Sequence, residues 1–342
     1  MSRLPSCHTF VLASFVLFTA APPLIGESVT ELRSIQVIEV SPEDAIETVP
    51  VVSSVALDPG GMNLAIAGDD HMVRIWSARD NRFVRRLGGH TDWVKAAAYN
   101  PDGSILATAG QDHQIKLWRT SDGQPFGLLP DMMQGISTLV FSPDGRILAV
   151  AGFESKIRLY DGRSGTRLSV LEAPGSDIRA LAFSPDGARL AAAGRQGTIR
   201  IWEIASGQVV HELQGHTRRV RALAYSPDGS RLASGGEEQA VRLWDTVAGI
   251  QVGTLPERPG KVLSLSFCGP DRLAAGGSDN LIRVWDLASQ TEQVRLIGHT
   301  GSVGTLAWDA QRGQLVSGSF DTTVRIWQLW NGGGYDAVSR RQ

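Results

Sequence analysis

The strings RIW, KLW, RLY, RIW, RLW, RVW and RIW end at Trp76, Trp118, Tyr160, Trp202, Trp244, Trp285 and Trp327, at successive spacings of 42, 42, 42, 42, 41 and 42 residues. A fixed period of roughly 20–50 residues constrains a fold more than any local pattern, because each unit buries a core only by stacking on its neighbours. The inside of each unit is equally regular. A stretch such as VKAAAY, IRALAF or VRALAY alternates with period two and reads as a half-buried strand. A turn follows, NPDG once and SPDG three times, with DPGG and CGPD as variants. Proline presets φ, aspartate bonds its own backbone, and glycine accepts the positive φ at the exit. A second strand such as ILATAG, the strand ending on the aromatic residue, and a fourth such as VVHELQ complete the unit. Four short antiparallel strands with no helical pattern make one propeller blade, so the expected fold is an all-β, seven-bladed β-propeller.

The ends suggest how the ring closes. Beyond Trp327 the chain reads QLWNGGGYDAVSRRQ, which holds no fourth strand, whereas Ile35 to Val40, IQVIEV, has no partner of its own. This N-terminal strand is expected to complete the last blade, removing a free sheet edge and coupling the termini. The expected organisation is 1–26 as a signal peptide or N-terminal anchor, 27–33 as linker, 34–330 as the propeller and 331–342 as a loose tail. The apolar run Phe10 to Ala21 follows Arg3 and spans twelve residues, the length of a signal-peptide core and short of the ~20 that cross a bilayer. On this reading the protein is exported, to the periplasm or the extracellular space, and either free or held by an uncleaved segment. A net charge of −2 supplies no electrostatic reason to bind nucleic acid or an anionic membrane.

These repeats resemble the WD-repeat family, whose unit runs from a Gly-His pair to a Trp-Asp pair. Gly-His stands at Gly89-His90, Gly215-His216 and Gly298-His299, and Trp-Asp at Trp244-Asp245 and Trp285-Asp286. The resemblance covers roughly residues 34–330, and the even Ser-Pro-Asp-Gly turns are similar to those of bacterial members. It implies a buried hydrogen-bond network within a blade. The matching sets are His90, Thr108, Asp112, Trp118; His216, Ser234, Glu238, Trp244; and His299, Ser317, Asp321, Trp327. Blades without the histidine carry Ile66, Val150, Ala192 or Ala275 at the hydroxyl position, so both groups are absent together. A buried hydroxyl lacking its partner would cost ~1–3 kcal/mol.

The same sets mimic a catalytic triad. Their recurrence by repeat, the tryptophan in each, and the absence of a G-x-S-x-G elbow favour a structural role. No catalytic residue, metal or cofactor is expected. The histidines are scattered, with His71 and His113 at equivalent turns, and Cys7 and Cys268 support neither a disulfide framework nor a cysteine zinc site. Acids recurring at Asp70, Asp112, Glu154, Glu238, Asp279 and Asp321 read as turn caps. The basic residue two before each aromatic (Arg74, Lys116, Arg158, Arg200, Arg242, Arg283, Arg325) reads as a solvated position.

Function is expected where the repeats differ. The position before each inner strand reads Val51, Trp93, Gly135, Asp177, Arg219, Lys261, Ser302, and two residues later Ser53, Lys95, Ser137, Arg179, Arg221, Leu263, Gly304. A neighbouring turn adds Asp69, Gln111, Phe153, Arg195, Glu237, Ser278 and Phe320. The resemblance implies that these ring the top face around the central channel. The candidate partner-binding residues are therefore Trp93, Lys95, Phe153, Asp177, Arg179, Arg195, Arg219, Arg221, Lys261 and Phe320, mixing cations with the aromatics enriched at binding hot spots. The expected function is a non-catalytic scaffold, a monomeric ring within a larger complex, holding a protein or peptide with an acidic segment. The competing reading is a propeller enzyme or small-ligand binder working in the channel, which the small aliphatic segments Ala96 to Ala98 and Leu181-Ala182 are expected to line.

Overall fold

The computed structural model describes residues 29–40, 49–129 and 134–330; the expected export segment, Cys7 and the C-terminal tail lie outside them. Seven blades, each with four antiparallel strands, follow one another, as the repeat requires. Each inner strand packs on the inner strand of the next blade, and the seventh (Val303–Asp309) packs on the first (Val52–Leu57), so the ring is closed. The second strand of a blade is covered on both faces by its neighbours, which explains sequences as small as RLAAAG: Ala191, Ala192 and Ala193 are wholly buried and let adjacent sheets approach. The core therefore lies between blades. One cluster joins Val241, Leu243 and Leu255 of blade five to Val262, Leu265 and Trp285 of blade six. Each such aliphatic side chain contributes ~1.5–3 kcal/mol on burial, a gain no isolated blade secures.

The turns behave as their chemistry demands. In three SPDG turns the serine Oγ–H donates to the aspartate two residues on, at 2.6 Å for Ser142 to Asp144 and 2.5 Å for both Ser184 to Asp186 and Ser226 to Asp228. These hydroxyls, with backbone N–H groups, hold all three carboxyls below the usual aspartate range. His71 and His113 sit at exposed turns with φ of 67° and 64°, the place that Gly197 takes in blade four with φ 82°. Cys268, in the place of a turn serine, is fully buried, and burial pushes its thiol pKa up.

Closure follows the expected route. Strand β2 (Gln36–Glu39) pairs antiparallel with Thr323–Gln328 and supplies the fourth strand of blade seven, burying Ile38 and Val40 between blades seven and one. The stretch expected to be linker, 27–33, contains a further strand. Strand β1 (Thr30–Leu32) runs parallel to the outer strand Thr291–Leu296 of blade six and makes that sheet five-stranded. The free backbone groups of that edge and the apolar Leu32, which packs on the core between blades six and seven, account for the pairing. The N-terminal segment thus clasps two successive blades.

Candidate functional site

The three histidine sets form as expected. His90 Nδ1–H donates to Asp112 Oδ2 at 2.7 Å, Thr108 Oγ1–H donates to His90 Nε2 at 2.8 Å, and Trp118 Nε1–H donates to Thr108 Oγ1 at 2.8 Å. His216, Ser234, Glu238 and Trp244 repeat the chain at 2.7–2.9 Å, as do His299, Ser317, Asp321 and Trp327 at 2.7–2.8 Å. Burial holds His90 and His216 below the ordinary histidine pKa against the pull of their carboxylates, so Nε2 acts as acceptor. A Cβ at Gly215 would lie 2.9 Å from the Trp244 ring, which explains the glycine before the histidine. Thr108, Ser234 and Ser317 are 0 % exposed. A hydroxyl closed off in mid-strand meets no substrate, so these sets are framework.

Two expectations need correction. The basic residue before the aromatic is not simply solvated: Arg74, Arg158 and Arg283 are buried, and each pairs with the turn acid four residues earlier. Arg74 meets Asp70 at 2.5 Å and Arg158 meets Glu154 at 2.7 Å, so the recurring acids cap turns and neutralise these arginines as well. Blade six, lacking histidine and hydroxyl, is not without a network. The buried Arg258 guanidinium donates to Ala275 O at 3.0 Å, to Leu281 O at 3.2 Å and to Asp279. Arg258 stands 42 residues after His216, in the histidine position of blade six, and escaped notice because an arginine fills that place and Ala275 replaces the hydroxyl. Absence of the hydroxyl also has a cost, since the indole N–H groups of Trp76 and Trp285 are buried without a partner among the described residues.

Of the three sets expected to ring the channel, one lines a cavity in full and the others only through Trp93 and Phe320. Ser53, Lys95, Ser137, Arg179, Arg221, Leu263 and Gly304, one from each blade, line a single cavity of about 150 Å³ with Trp93 and Phe320. The same position ties blades together where it is serine: Ser53 Oγ–H donates to Val94 O and Ser137 Oγ–H to Ile178 O. The small aliphatic residues expected to line the channel do not form this mouth. Ala96, Leu181 and Ala182 belong to the cores between blades, and three cations from blades two, four and five face the cavity instead.

Behind that ring stands an ion-pair relay. Asp177, with its backbone at φ 60°, contacts Arg179 at 2.5 Å and Arg219 at 2.8 Å; Arg219 reaches Glu237 at 3.2 Å, and Glu237 takes Arg221 at 2.7 Å. Burial raises the Glu237 pKa, but Arg221 and Arg219 bring it below its usual value. Of the expected partner-binding residues, Arg219 and Asp177 are thus committed to each other and stand outside the cavity lining. Phe153 carries the Arg179 guanidinium on its ring at 4.6 Å. Lys95 lies over the Trp93 ring and makes no carboxylate pair among the described residues; burial, with Arg179 beside it, lowers its pKa to about 8. Arg195, Lys261 and Phe320 are exposed. The arrangement presents net positive charge at the mouth, rimmed by the exposed Arg195 and Lys261, which make no carboxylate pair among the described residues, and by Phe320.

A family model described as WD domain, G-beta repeat matches the chain seven times, over residues 47–77, 81–119, 131–161, 165–203, 207–245, 249–286 and 290–328. Among curated proteins no relative matches the chain.

Proposed function

The chain belongs to the WD40 repeat family, and we propose that it is a non-catalytic scaffold that holds a partner protein or peptide, through an acidic segment, on the face where the channel opens. One observation carries this reading: the positions at which the seven blades differ converge on one mouth that combines three cations with Phe320, 45 % exposed. A framework built by repetition has no use for such concentration of unlike residues, whereas cations around an aromatic anchor suit a partner of opposite charge.

The arginine relay dictates the test. Reversing Arg219 or Arg221 would leave Asp177 or Glu237 beside a new acid and disturb the fold, so the rim residues are the better probes. The variant Arg195→Ala, Lys261→Ala, Phe320→Ser should lose the partners that the wild-type chain retains from native extract, with an unchanged melting curve. Partners held equally by both chains, but lost from a Phe126→Ser, Leu128→Ser variant on the outer strand of blade two, would place the site on the perimeter. We also propose that the chain is exported through its N-terminal apolar segment. Amino-terminal sequencing of protein from the native cell should find a start near residue 26, and an intact Met1 or Ser2 would contradict cleavage.

A further inference from the structure

We propose that the channel mouth is a subsite for one tetrahedral, doubly charged oxyanion, a phosphate group, gripped by Lys95, Arg179 and Arg221. Among the described residues no carboxylate lines the cavity; the two acids that balance the arginines, Asp177 and Glu237, stand behind the ring. Each arginine keeps donors in reserve. Arg221 spends Nε and Nη2 on Glu237, and Arg179 meets Asp177 only through Nε, so guanidinium N–H groups remain on both. Lys95 comes from blade two, across the ring from blades four and five, so donors approach the cavity from separate directions. A carboxylate directs its two oxygens to one side; a tetrahedral phosphate has oxygens for all three cations. Leu263 and Phe320 form an apolar side on which the stem of a phosphate-bearing group would rest.

The charges around Lys95 agree with an anion missing from the balance. Arg179 and Arg221 disfavour its ammonium, Asp69 and Asp92 favour it, and burial outweighs them all, leaving a pKa of about 8. A dianion between the three cations restores the charged form and binds more tightly as Lys95 gains its proton. The subsite deepens the partner-binding reading, since a phosphorylated side chain would bring such a group. It is nevertheless testable without any partner, so the two readings fail separately.

The chain has four lysines, Lys95, Lys116, Lys156 and Lys261, which makes their reactivity easy to map. Brief acetylation of the full chain across pH, quantified by peptide mass, should show Lys95 reacting with a midpoint near pH 8. Inorganic phosphate at constant ionic strength should move that midpoint up by about one unit and cut Lys95 labelling about tenfold below it, with Lys156 unchanged. Arg221→Gln should weaken the protection, and the wild-type result stands even if that variant folds poorly. A phosphoserine peptide protecting at far lower concentration than phosphate identifies the source as a phosphorylated partner; equal potency identifies the free anion. Labelling indifferent to phosphate, or protection by acetate as strong as by phosphate, overturns the proposal.

Discussion

Replacing Thr108 with valine keeps the shape of a fully buried side chain and removes one oxygen. That oxygen accepts from Trp118 Nε1 and its hydroxyl donates to His90 Nε2, both at 2.8 Å. Valine therefore orphans two enclosed polar groups at ~1–3 kcal/mol each, and the added methyl returns ~0.8 kcal/mol. The net expectation is a loss of about 3 kcal/mol in unfolding free energy. Valine itself is compatible with the position, since blade three carries Val150 there with Tyr160 in place of tryptophan. The loss should therefore reside in the orphaned groups. Adding His90→Leu should then cost less than it does alone, a coupling of about 1–2 kcal/mol. Urea unfolding with an unchanged slope measures both terms. A Thr108→Val variant within ~0.5 kcal/mol of wild type, or strictly additive substitutions, would refute the reasoning.

Stability should also follow pH in a defined sense. His90 and His216 are held neutral, so the unfolded chain takes up protons below its pKa of 6.5; that stability is full above 6.5 and falls as pH drops toward the lowered native values. Glu238, for which hydrogen bonds from Thr217 and His216 outweigh burial, adds stability above 4.5 that is lost as pH falls through about 2; a flat urea midpoint between these limits would contradict both. Ile38→Ala in the closing strand, at 1 % exposure, should cost ~2–5 kcal/mol, and a calorimetric scan showing no change would mean that β2 does not close the ring. Arg258→Met should destabilise by about 2–3 kcal/mol, below the full penalty of a broken buried pair because Asp279 keeps Arg283; a melting curve like wild type would remove Arg258 from the blade-six framework. A thiol reagent should modify the buried Cys268 only after denaturation, and reaction at the rate of a free thiol in the native chain would show the core to be open.

What the sequence determined on its own was everything that repeats. A period of 42 residues places Trp118 under Thr108 and His90 by the same offsets as Trp327 under Ser317 and His299, so partners within a blade are legible from spacing alone. The surplus strand at Ile35 to Val40 and the missing one after Trp327 likewise specified closure through β2. The buried arginines were half legible: the acid four residues before Arg74 and Arg158 was visible, but covering by the neighbouring blade is what makes the pair necessary. Arg258 escaped because an arginine takes the histidine position 42 residues after His216, and β1 escaped because three residues carry no pattern of their own. Only the tertiary structure decided which unlike residues meet across the ring. Lys95, Arg179 and Arg221, 84 and 42 positions apart, share one repeat position that the sequence already showed, but their facing a single cavity follows from the rotation between blades and the closure of the circle. The same rotation brings Asp177 and Glu237 against Arg219, deciding how much of that charge remains for a partner.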